Sequence, residues 1–441
     1  MITENQLPEL RVFRKVERRL PLNIANNSSS LVVQGHNDSL PVHRWFRFKE
    51  SFSADLLAEI LTQLSGKLGK QFRLLDPFCG VGTTLVASQE MAARGYKIEA
   101  IGIECNPFIR FAAQSKVSWP KINPEKLLDL CDRVLQERRD KPKKQIPPLS
   151  SLTTGRCLSR YFSERFLSMR DTITLDGSSA THNSALLGLA SAIEPVSKVR
   201  KDGRALRIVD RNHQQLETIL RNKWEAIAED TAFLQKHVER AVLPTVIEGD
   251  GRRPSKLGIV AGSIDLVLTS PPYPNNIDYS EVYKLELWLL GFIGNQEAFL
   301  GLRKKTFRSH PACSDLDHLT DFMTELRTEG ILKLLKPILA RMENNGEAWR
   351  RKVLLGYCHD MWIALKEQYQ CLRKGGYAVV VVGNSLHGGT HLPYLIPTDI
   401  IVAVLAESVG FEVEEIAVAR SLRRRLTGNH FLRESMVILR K

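Results

Sequence analysis

Apolar and polar positions along the chain follow two periods, one typical of strands and one typical of helices. The first strong strand is predicted at residues 72–75, and it runs directly into Asp76 and a glycine-containing turn. A helix is predicted from Thr83 or Thr84 to about residue 94, with a glycine suited to end it. A second strand at 98–103 completes a βαβ unit, which indicates a parallel sheet.

The second half of the chain continues this pattern. Strands are predicted at 244–247, 264–269 and 377–382, and the last is a continuous apolar run typical of a parallel strand buried on both faces. A helix at 398–409 and two strands, FEVEEIAVA and ESMVILRK, follow. This order predicts an α/β fold with a doubly wound, mostly parallel sheet of about seven strands, the last two forming an antiparallel hairpin.

Two stretches between the strand-forming regions have mostly helical and charged patterns. We interpret them as helical insertions into one sheet-forming domain, and we interpret the polar start of the chain as an extension. The predicted division is an N-terminal extension at 1–42, a sheet-forming domain at 43–107 and 241–441, a helical insertion at 108–240, and a second helical insertion at 291–355.

The composition excludes several classes of protein. With 441 residues, of which 43% are hydrophobic and 25% charged, the chain resembles ordinary globular proteins rather than disordered or fibrous ones. No apolar run reaches the roughly 18 residues of a membrane span, and the first residues lack the order of a secretory signal. The seven cysteines include no CxxC pair, so neither a disulfide framework nor a thiolate zinc site is indicated. We therefore expect a cytoplasmic protein without a membrane partner or a metal centre.

The chain is basic, because 62 Lys and Arg residues against 49 Asp and Glu residues give a formal net charge of +13. This excess favours a polyanionic partner, since neutralising phosphates releases bound counterions. A globular protein that is merely basic is the alternative interpretation. Two basic clusters are predicted to face a nucleic acid: Arg303, Lys304 and Lys305, and Arg423, Arg424 and Arg425.

The turn after the first strand reads GVGTT, with glycines at Gly80 and Gly82 followed by Thr83. It lacks the third glycine of the dinucleotide fingerprint and the Gly-Lys-Ser/Thr of a P-loop, so a pyrophosphate ligand is disfavoured. Asp76 at the strand end instead favours a ligand that carries positive charge near the turn. S-adenosylmethionine, which has an ammonium and a sulfonium group, meets that demand.

Two more acidic residues stand at predicted strand ends. Glu104 closes the second strand, where a carboxylate can accept hydrogen bonds from both hydroxyls of a ribose. Asp250 follows the next strand, in a position to accept a hydrogen bond from an adenine amine. Ligands of an open α/β sheet bind beyond the carboxyl ends of its strands, so Asp76, Glu104 and Asp250 are predicted to line one S-adenosylmethionine site. A plain tight turn is the alternative interpretation of the glycines alone.

The strand at 264–269 runs straight into Ser270, Pro271, Pro272 and Tyr273. Neither proline can donate a backbone hydrogen bond, so carbonyl groups are left exposed at the sheet edge. A hydroxyl, a bare carbonyl and an aromatic face suit a planar base with an exocyclic amine. Ser270 and the Pro271 carbonyl would bind the amine, and Tyr273 would stack on the ring. A stiff loop is the alternative interpretation of this tetrad alone.

These segments together resemble the DNA amino-methyltransferases, which make N4-methylcytosine or N6-methyladenine from S-adenosylmethionine. DPFCGVGTT is similar to the cofactor motif of that family, IGIECNP to its second motif and TSPPY to its catalytic motif. The resemblance implies a Rossmann-like methyltransferase fold, cofactor contacts for Phe78 and Thr83, and a target base that leaves the double-stranded DNA. The segment HRWFRFKESFS implicates Phe46 and Phe52 beside the methionine end. The resemblance covers residues 43–107, 244–290 and 375–385 and, more weakly, the C-terminal hairpin.

The resemblance favours N4 of cytosine over N6 of adenine, because serine stands first in the catalytic tetrad. The cofactor motifs precede the catalytic motif, whereas many N4-cytosine enzymes have the opposite order. The insertion at 108–240 is a candidate target-recognition region. A guanine-amine RNA methyltransferase, whose tetrad is usually Asp-Pro-Pro-Tyr, and a catalytically silent nucleic-acid-binding module of the same fold are the alternatives. The target sequence and a cognate restriction or defence partner are left open.

Overall fold

The computed structural model describes residues 6–24, 29–136, 157–202, 205–209, 215–275, 277–311, 331–388, 392–422 and 431–441. The strands are β1 (Leu22–Asn23), β2 (Gln71–Asp76), β3 (Lys97–Glu104), β4 (Val199–Asp202), β5 (Ala205–Ile208), β6 (Thr245–Glu248), β7 (Ile264–Thr269), β8 (Leu372–Gly383), β9 (Ser385–His387), β10 (Tyr394–Ile396), β11 (Glu412–Ser421) and β12 (Arg433–Arg440).

The helices are α1 (Leu10–Glu17), α2 (Leu56–Gln63), α3 (Thr83–Glu90), α4 (Pro107–Val117), α5 (Pro124–Gln136), α6 (Arg160–Asp176), α7 (Ala180–Ser191), α8 (Ile193–Val196), α9 (Leu216–His237), α10 (Tyr279–Val282), α11 (Lys284–Leu289), α12 (Gln296–Lys305), α13 (Ile331–Asn344), α14 (Ala348–Cys371) and α15 (Thr398–Ser408). Among the described residues, no helix combines the length and the apolar character needed to cross a membrane.

A sheet of eight strands forms the centre of the described chain, in the order β1-β11-β12-β8-β7-β2-β3-β6. The neighbouring strands β8, β7, β2, β3 and β6 are parallel to one another. Strand β12 lies between β8 and β11 and is antiparallel to both. The predicted α/β, doubly wound, mostly parallel sheet with a C-terminal antiparallel hairpin is therefore confirmed. The additional strand is β1, whose Leu22 pairs with Ile416. The sequence did not indicate β1, because a two-residue strand shows no periodicity.

Both faces of the sheet are covered, as a doubly wound fold requires. Along β8, Val379 and Val381 belong to one hydrophobic cluster, whereas Val380 and Val382 belong to another on the opposite face. Successive side chains of a strand point to opposite faces, so a continuous apolar run indicates burial on both. The first cluster includes side chains of α2 to α7 and α9, and the second includes side chains of α13, α14 and α15.

The first helical insertion packs closely against the sheet-forming domain. Lys201 of β4 is buried, donates a hydrogen bond to Glu286 of α11 and lies over the ring of Tyr283, 4.2 Å from its centroid. On α9, the buried Asp230 accepts hydrogen bonds from Arg44 Nε at 3.0 Å and Nη2 at 2.7 Å. One ion pair thus connects the insertion to α11, and the other connects it to the segment that precedes β2.

Candidate active site

A cavity of about 960 Å³, including its open mouth, lies at the carboxyl ends of the parallel strands. Its wall contains the turn after β2, the end of β3, the loop after β6 and the residues after β7. Such a location is where ligands bind in open α/β sheets, and the volume lies in the usual range for small-molecule sites. Segments that are far apart in sequence therefore converge on one pocket.

The glycine turn enters this cavity through Gly80. Gly80 and Gly82 both have left-handed backbones, with φ of +53° and +81°, which favours glycine at both positions. A Cβ at Gly80 would lie 3.3 Å from the ring of Phe48, which also lines the cavity. A Cβ at Gly82 would instead lie 3.2 Å from the Cβ of Ala113 on α4. Gly80 therefore shapes the cavity wall, whereas Gly82 allows α3 and α4 to pack closely.

Asp76 fixes the geometry of the turn. Its carboxylate accepts hydrogen bonds from Thr84 Oγ1 at 2.7 Å, from Thr269 Oγ1 at 2.9 Å and from the backbone N–H of Phe78 at 3.2 Å. The residue is 1% exposed, and burial raises its pKa to about 6 although these three donors oppose the shift. Asp76 thus connects β2, α3 and β7, and it contributes a carboxylate to the cavity wall.

Glu104 and Asn106 form the next part of the wall. Glu104 Oε1 accepts a hydrogen bond from the Asn106 backbone N–H at 2.7 Å, and burial raises the pKa of Glu104 to about 7. The Asn106 side-chain oxygen caps α4 by accepting from the N–H groups of Phe108 and Ile109. Its buried Nδ2 has no hydrogen-bond partner among the residues that the structure describes. Asn106 therefore offers a donor to a ligand, a role that the sequence analysis missed.

Asp250 lies across the cavity, in the loop after β6. It accepts hydrogen bonds from the backbone N–H of Arg252 at 3.0 Å and from Arg252 Nε at 2.8 Å. Between them stands Gly251, where a Cβ would lie only 1.7 Å from the Pro77 carbonyl oxygen. The loops after β2 and β6 therefore touch, and only glycine fits at position 251.

The predicted catalytic tetrad follows β7. Ser270 and Pro272 line the cavity, and Ser270 Oγ donates a hydrogen bond to the hydroxyl oxygen of Tyr273 at 3.2 Å. The Tyr273 ring lies beside Gly383 at the end of β8, with its Cε2 atom 3.1 Å from the position of a Cβ there. Burial is the main cause that raises the pKa of Tyr273 above its ordinary value. The structure thus places Ser270 in the cavity wall and Tyr273 between that wall and β8.

An aromatic wall faces the glycine turn, and most of it was not predicted. The ring of Phe48 stacks with those of Tyr279 and Tyr283, at centroid distances of 6.4 and 5.2 Å. The Tyr283 hydroxyl donates to Glu50 at 2.9 Å, and burial raises the pKa of Glu50. The cavity is lined by Phe48, Glu50 and Tyr279 from this wall, and also by Phe52.

The segment HRWFRFKESFS contributes to the cavity wall, although not through both aromatic residues that the resemblance implicated. Phe52 lines the cavity, whereas the Phe46 ring packs against Phe108 with centroids 5.1 Å apart. Residues 46, 48 and 52 have equal apolar character in the sequence. Only the packing of the segment on α4 determines which of these rings faces the cavity.

The residues of the two predicted basic clusters differ in where the structure places them. Lys304 and Lys305 end α12 and are exposed, and Lys305 also lines the cavity. Arg303 Nε donates to Asp278 Oδ2 at 2.7 Å, and Arg303 Nη1 lies 3.4 Å from Glu281, so its guanidinium supports α12 from within the protein. The second cluster, Arg423, Arg424 and Arg425, lies outside the described residues.

The sheet and the cavity lining together indicate which class of protein this is. A doubly wound sheet with a reversed last strand, a glycine turn after β2, carboxylates at the ends of β2, β3 and beyond β6, and a Ser-Pro-Pro-Tyr tetrad after β7 are consistent with a Rossmann-like methyltransferase. No protein-family model matches the chain.

Two named relatives make the assignment more specific. The chain is 26% identical over 424 residues to the type II methyltransferase M.AvaI of Nostoc sp. (strain PCC 7120), with 89% of this chain and 83% of that protein covered. It is 25% identical over 434 residues to the type II methyltransferase M.BsoBI of Geobacillus stearothermophilus, with 87% of this chain and 81% of that protein covered. These similarities, which extend over most of the chain, support the resemblance to the DNA methyltransferases.

Proposed function

We propose that this protein is a site-specific DNA methyltransferase, which transfers a methyl group from S-adenosylmethionine to the exocyclic amine of a base in double-stranded DNA. The observation that carries the proposal is that one cavity is lined both by the glycine turn with its carboxylates and by Ser270 and Pro272. A donor site and an acceptor site that share one cavity suit direct group transfer. The type II methyltransferase relatives support the same conclusion.

The residues of the cavity fit S-adenosylmethionine. Glu104 would accept the ribose hydroxyls, Asp250 would accept from the adenine amine, and Asn106 Nδ2 is a buried donor that awaits an acceptor. Phe78 and Phe307 line the same region with their rings edge to face, 5.6 Å between centroids, and provide apolar surface for a purine. When bound, the cofactor supplies an electrophilic methyl group on its sulfonium.

The tetrad would prepare the amine for attack. The lone pair of an exocyclic amine is delocalised into the base, so Ser270 Oγ and the Pro271 carbonyl would hold the amine and localise that pair by hydrogen bonding. Transfer would then be an in-line displacement: the amine nitrogen bonds to the methyl carbon as the methyl–sulfur bond breaks, S-adenosylhomocysteine leaves, and the amine gives up a proton to water. It would depend on orientation and preorganised dipoles, without a covalent bond between enzyme and base. The base must leave the duplex to reach Ser270, which costs a few kcal/mol. Tyr273 or Tyr279 would stack on the extruded ring.

The finer assignment is N4 of cytosine in preference to N6 of adenine. It rests on the serine at position 270, since the family resemblance associates Asp or Asn at this position with adenine. A cognate restriction nuclease is the partner expected from the type II designation of the relatives. Exposed Lys304 and Lys305 at the rim of the cavity supply positive charge for the phosphates of the duplex.

The test is to incubate the protein with methyl-labelled S-adenosylmethionine and either duplex DNA or RNA, and then to identify the modified nucleoside by mass spectrometry. We expect label in duplex DNA as N4-methylcytosine, and label that forms about a hundredfold or more slowly with a Ser270→Ala variant. Label found as N6-methyladenine would revise only the base. Label in guanine of RNA would favour the RNA methyltransferase, and cofactor binding without transfer to either polymer would favour a silent binding module.

A further inference from the structure

A buried carboxylate outside the predicted site, Asp360 of α14, connects the cavity with the basic end of α12. Asp360 has an exposed fraction of 0%. It accepts hydrogen bonds from Arg252 Nη1 at 2.9 Å, and from Arg308 Nε and Nη2 at 3.0 and 2.6 Å. The backbone N–H of Arg308 adds another at 2.8 Å. One carboxylate therefore holds two arginines from two distant segments of the chain.

Arg252 carries this connection to the cavity. Its Nε donates to Asp250 at 2.8 Å, and its Nη2 donates to the Lys305 carbonyl oxygen at 3.3 Å. Arg252 thus orients the carboxylate proposed for the adenine amine, and it also holds the backbone of the segment that bears the exposed lysines. Since Asp360 neutralises and orients Arg252, it stabilises the contacts of Arg252 with Asp250 and with the Lys305 carbonyl.

Arg308 carries the connection to the basic segment. A Cβ at Gly356, in the middle of α14, would lie 3.0 Å from Arg308 Cδ and 3.2 Å from its Cβ. Glycine inside a helix is less stable than alanine, and here it provides the space in which Arg308 crosses the helix. His359 Nδ1 lies 2.5 Å from Arg308 Nη2, and burial, together with the charge of Arg308, lowers the pKa of His359 to about 4. The neutral imidazole can therefore accept from this guanidinium.

We propose that Asp360 is a positioning residue that couples cofactor binding to DNA binding; this inference rests on the function proposed above. Lys304 and Lys305 are exposed, while Lys305, Thr306 and Phe307 line the cofactor cavity. A phosphate held by the lysines and a cofactor held in the cavity would therefore contact the same short segment, whose position is set through Asp360. Because Asp360 makes this segment a rigid connection, a ligand that positions it at one site favours the ligand at the other site, and the effect is reciprocal.

The test uses the full chain with Asp360→Asn, because asparagine keeps the shape but removes the charge and one acceptor. Calorimetry measures the Kd of S-adenosylmethionine with and without a saturating DNA duplex. We expect the duplex to tighten cofactor binding at least about fivefold in the unmodified protein, and less than about twofold in the variant.

Asp230→Asn is the matched control. Asp230 is also buried, also accepts from Nε and Nη2 of one arginine, and also accepts from a backbone N–H, that of Val42 at 3.0 Å. It lies on α9, outside the cavity wall. This control should lower the thermal midpoint comparably and leave the duplex effect on the cofactor Kd as in the unmodified protein.

Arg308→Gln is the second variant. It leaves Asp360 paired with Arg252, releases the basic segment, and should also abolish the duplex effect. It provides the measurement if Asp360→Asn does not fold.

A folded Asp360→Asn protein with the full duplex effect would overturn the proposal, as would an equal loss in Asp230→Asn. It would also be overturned if the unmodified protein transfers methyl groups but shows no duplex effect. If the unmodified protein neither binds the cofactor nor transfers a methyl group, the proposed function itself fails, and the coupling fails with it.

Discussion

Ser270 and Tyr273 are hydrogen-bonded to each other, with the Ser270 hydroxyl donating to the Tyr273 hydroxyl over 3.2 Å. The serine faces the cavity, while the tyrosine ring lies beside Gly383. The interaction fixes the direction of the serine hydroxyl hydrogen, which can otherwise rotate but here has an acceptor. An incoming base would meet a preoriented serine oxygen with lone pairs free of that hydrogen bond.

The first prediction concerns the chemical step. Ser270→Ala removes a hydrogen bond aimed at the amine as it turns towards the methyl group, so single-turnover methyl transfer should slow by about a hundredfold or more. The Kd of S-adenosylmethionine, measured in parallel by calorimetry, should not change, since the cofactor contacts lie on other strands. A wild-type transfer rate in this variant would mean that the tetrad is only a stiff loop without a catalytic role.

The second prediction separates two candidate stacking residues. Tyr279 lines the cavity, whereas the Tyr273 ring lies beside Gly383 of β8. The ring that stacks on the extruded base should, when changed to alanine, weaken binding of duplex DNA containing the target by about 1 to 3 kcal/mol. The sequence motif predicts this loss for Tyr273→Ala, with a smaller loss for Tyr279→Ala. If Tyr279→Ala causes the larger loss of DNA binding in a competition assay, Tyr279 rather than Tyr273 stacks on the base.

The third prediction is a pH dependence of cofactor binding. Burial raises the pKa of Glu104 to about 7, and we propose that its ionised form accepts the ribose hydroxyls. Protonation should therefore weaken binding as the pH falls through 7, by about fourfold between about pH 8 and about pH 6.5. Glu104→Gln should bind more weakly throughout and should lack this component. Parallel pH profiles of the two proteins, measured by calorimetry, would exclude Glu104 as the titrating contact.

The fourth prediction tests the contact between the loops after β2 and β6. Gly251→Ala would place a Cβ 1.7 Å from the Pro77 carbonyl oxygen, so the backbone must move and Asp250 must move with it. We expect cofactor affinity to fall at least about tenfold and the thermal midpoint to drop. Gly301→Ala is the matched control, because nothing lies within 4 Å of a Cβ at this helical position. It should stabilise the protein by up to about 1 kcal/mol and leave affinity unchanged.

The fifth prediction concerns stability and a buried lysine. Lys116 is 2% exposed, its Nζ donates to the carbonyl oxygens of His43 and Phe46, and burial lowers its pKa to about 7 from an ordinary value of 10.5. Between these values the unfolded chain binds more protons than the folded one, so stability should rise with pH. Below pH 7 the full cost of burying the charge applies.

Lys116→Met removes this titration. The difference in unfolding free energy between the unmodified protein and the variant, from urea titrations at several pH values, should shift in favour of lysine as the pH rises from about 7 to about 9. If the two proteins respond to pH identically over this range, Lys116 is not the buried cation described.

Local pattern was sufficient for the main elements. β7 covers residues 264–269 as predicted, and the apolar run at 377–382 lies within β8 because both faces of that strand are buried. The helix predicted at 398–409 is α15, which ends at Ser408 shortly before Gly410, whose φ is +107°. The acidic residues at strand ends were equally readable, because parallel strands bring their carboxyl ends to one edge.

Local sequence pattern was enough to locate the main strands, the carboxylates at their ends and the motif that holds Ser270. The folded chain was needed to show that Phe48 rather than Phe46 faces the cavity, that β1 joins β11, and that Asp360 binds Arg252 and Arg308, which lie 108 and 52 residues away. The two kinds of information differ in the distance along the chain over which they act. Periodic burial acts between neighbours along the chain, whereas a buried carboxylate selects its partners by proximity in the folded protein, where each unpaired charge would be costly.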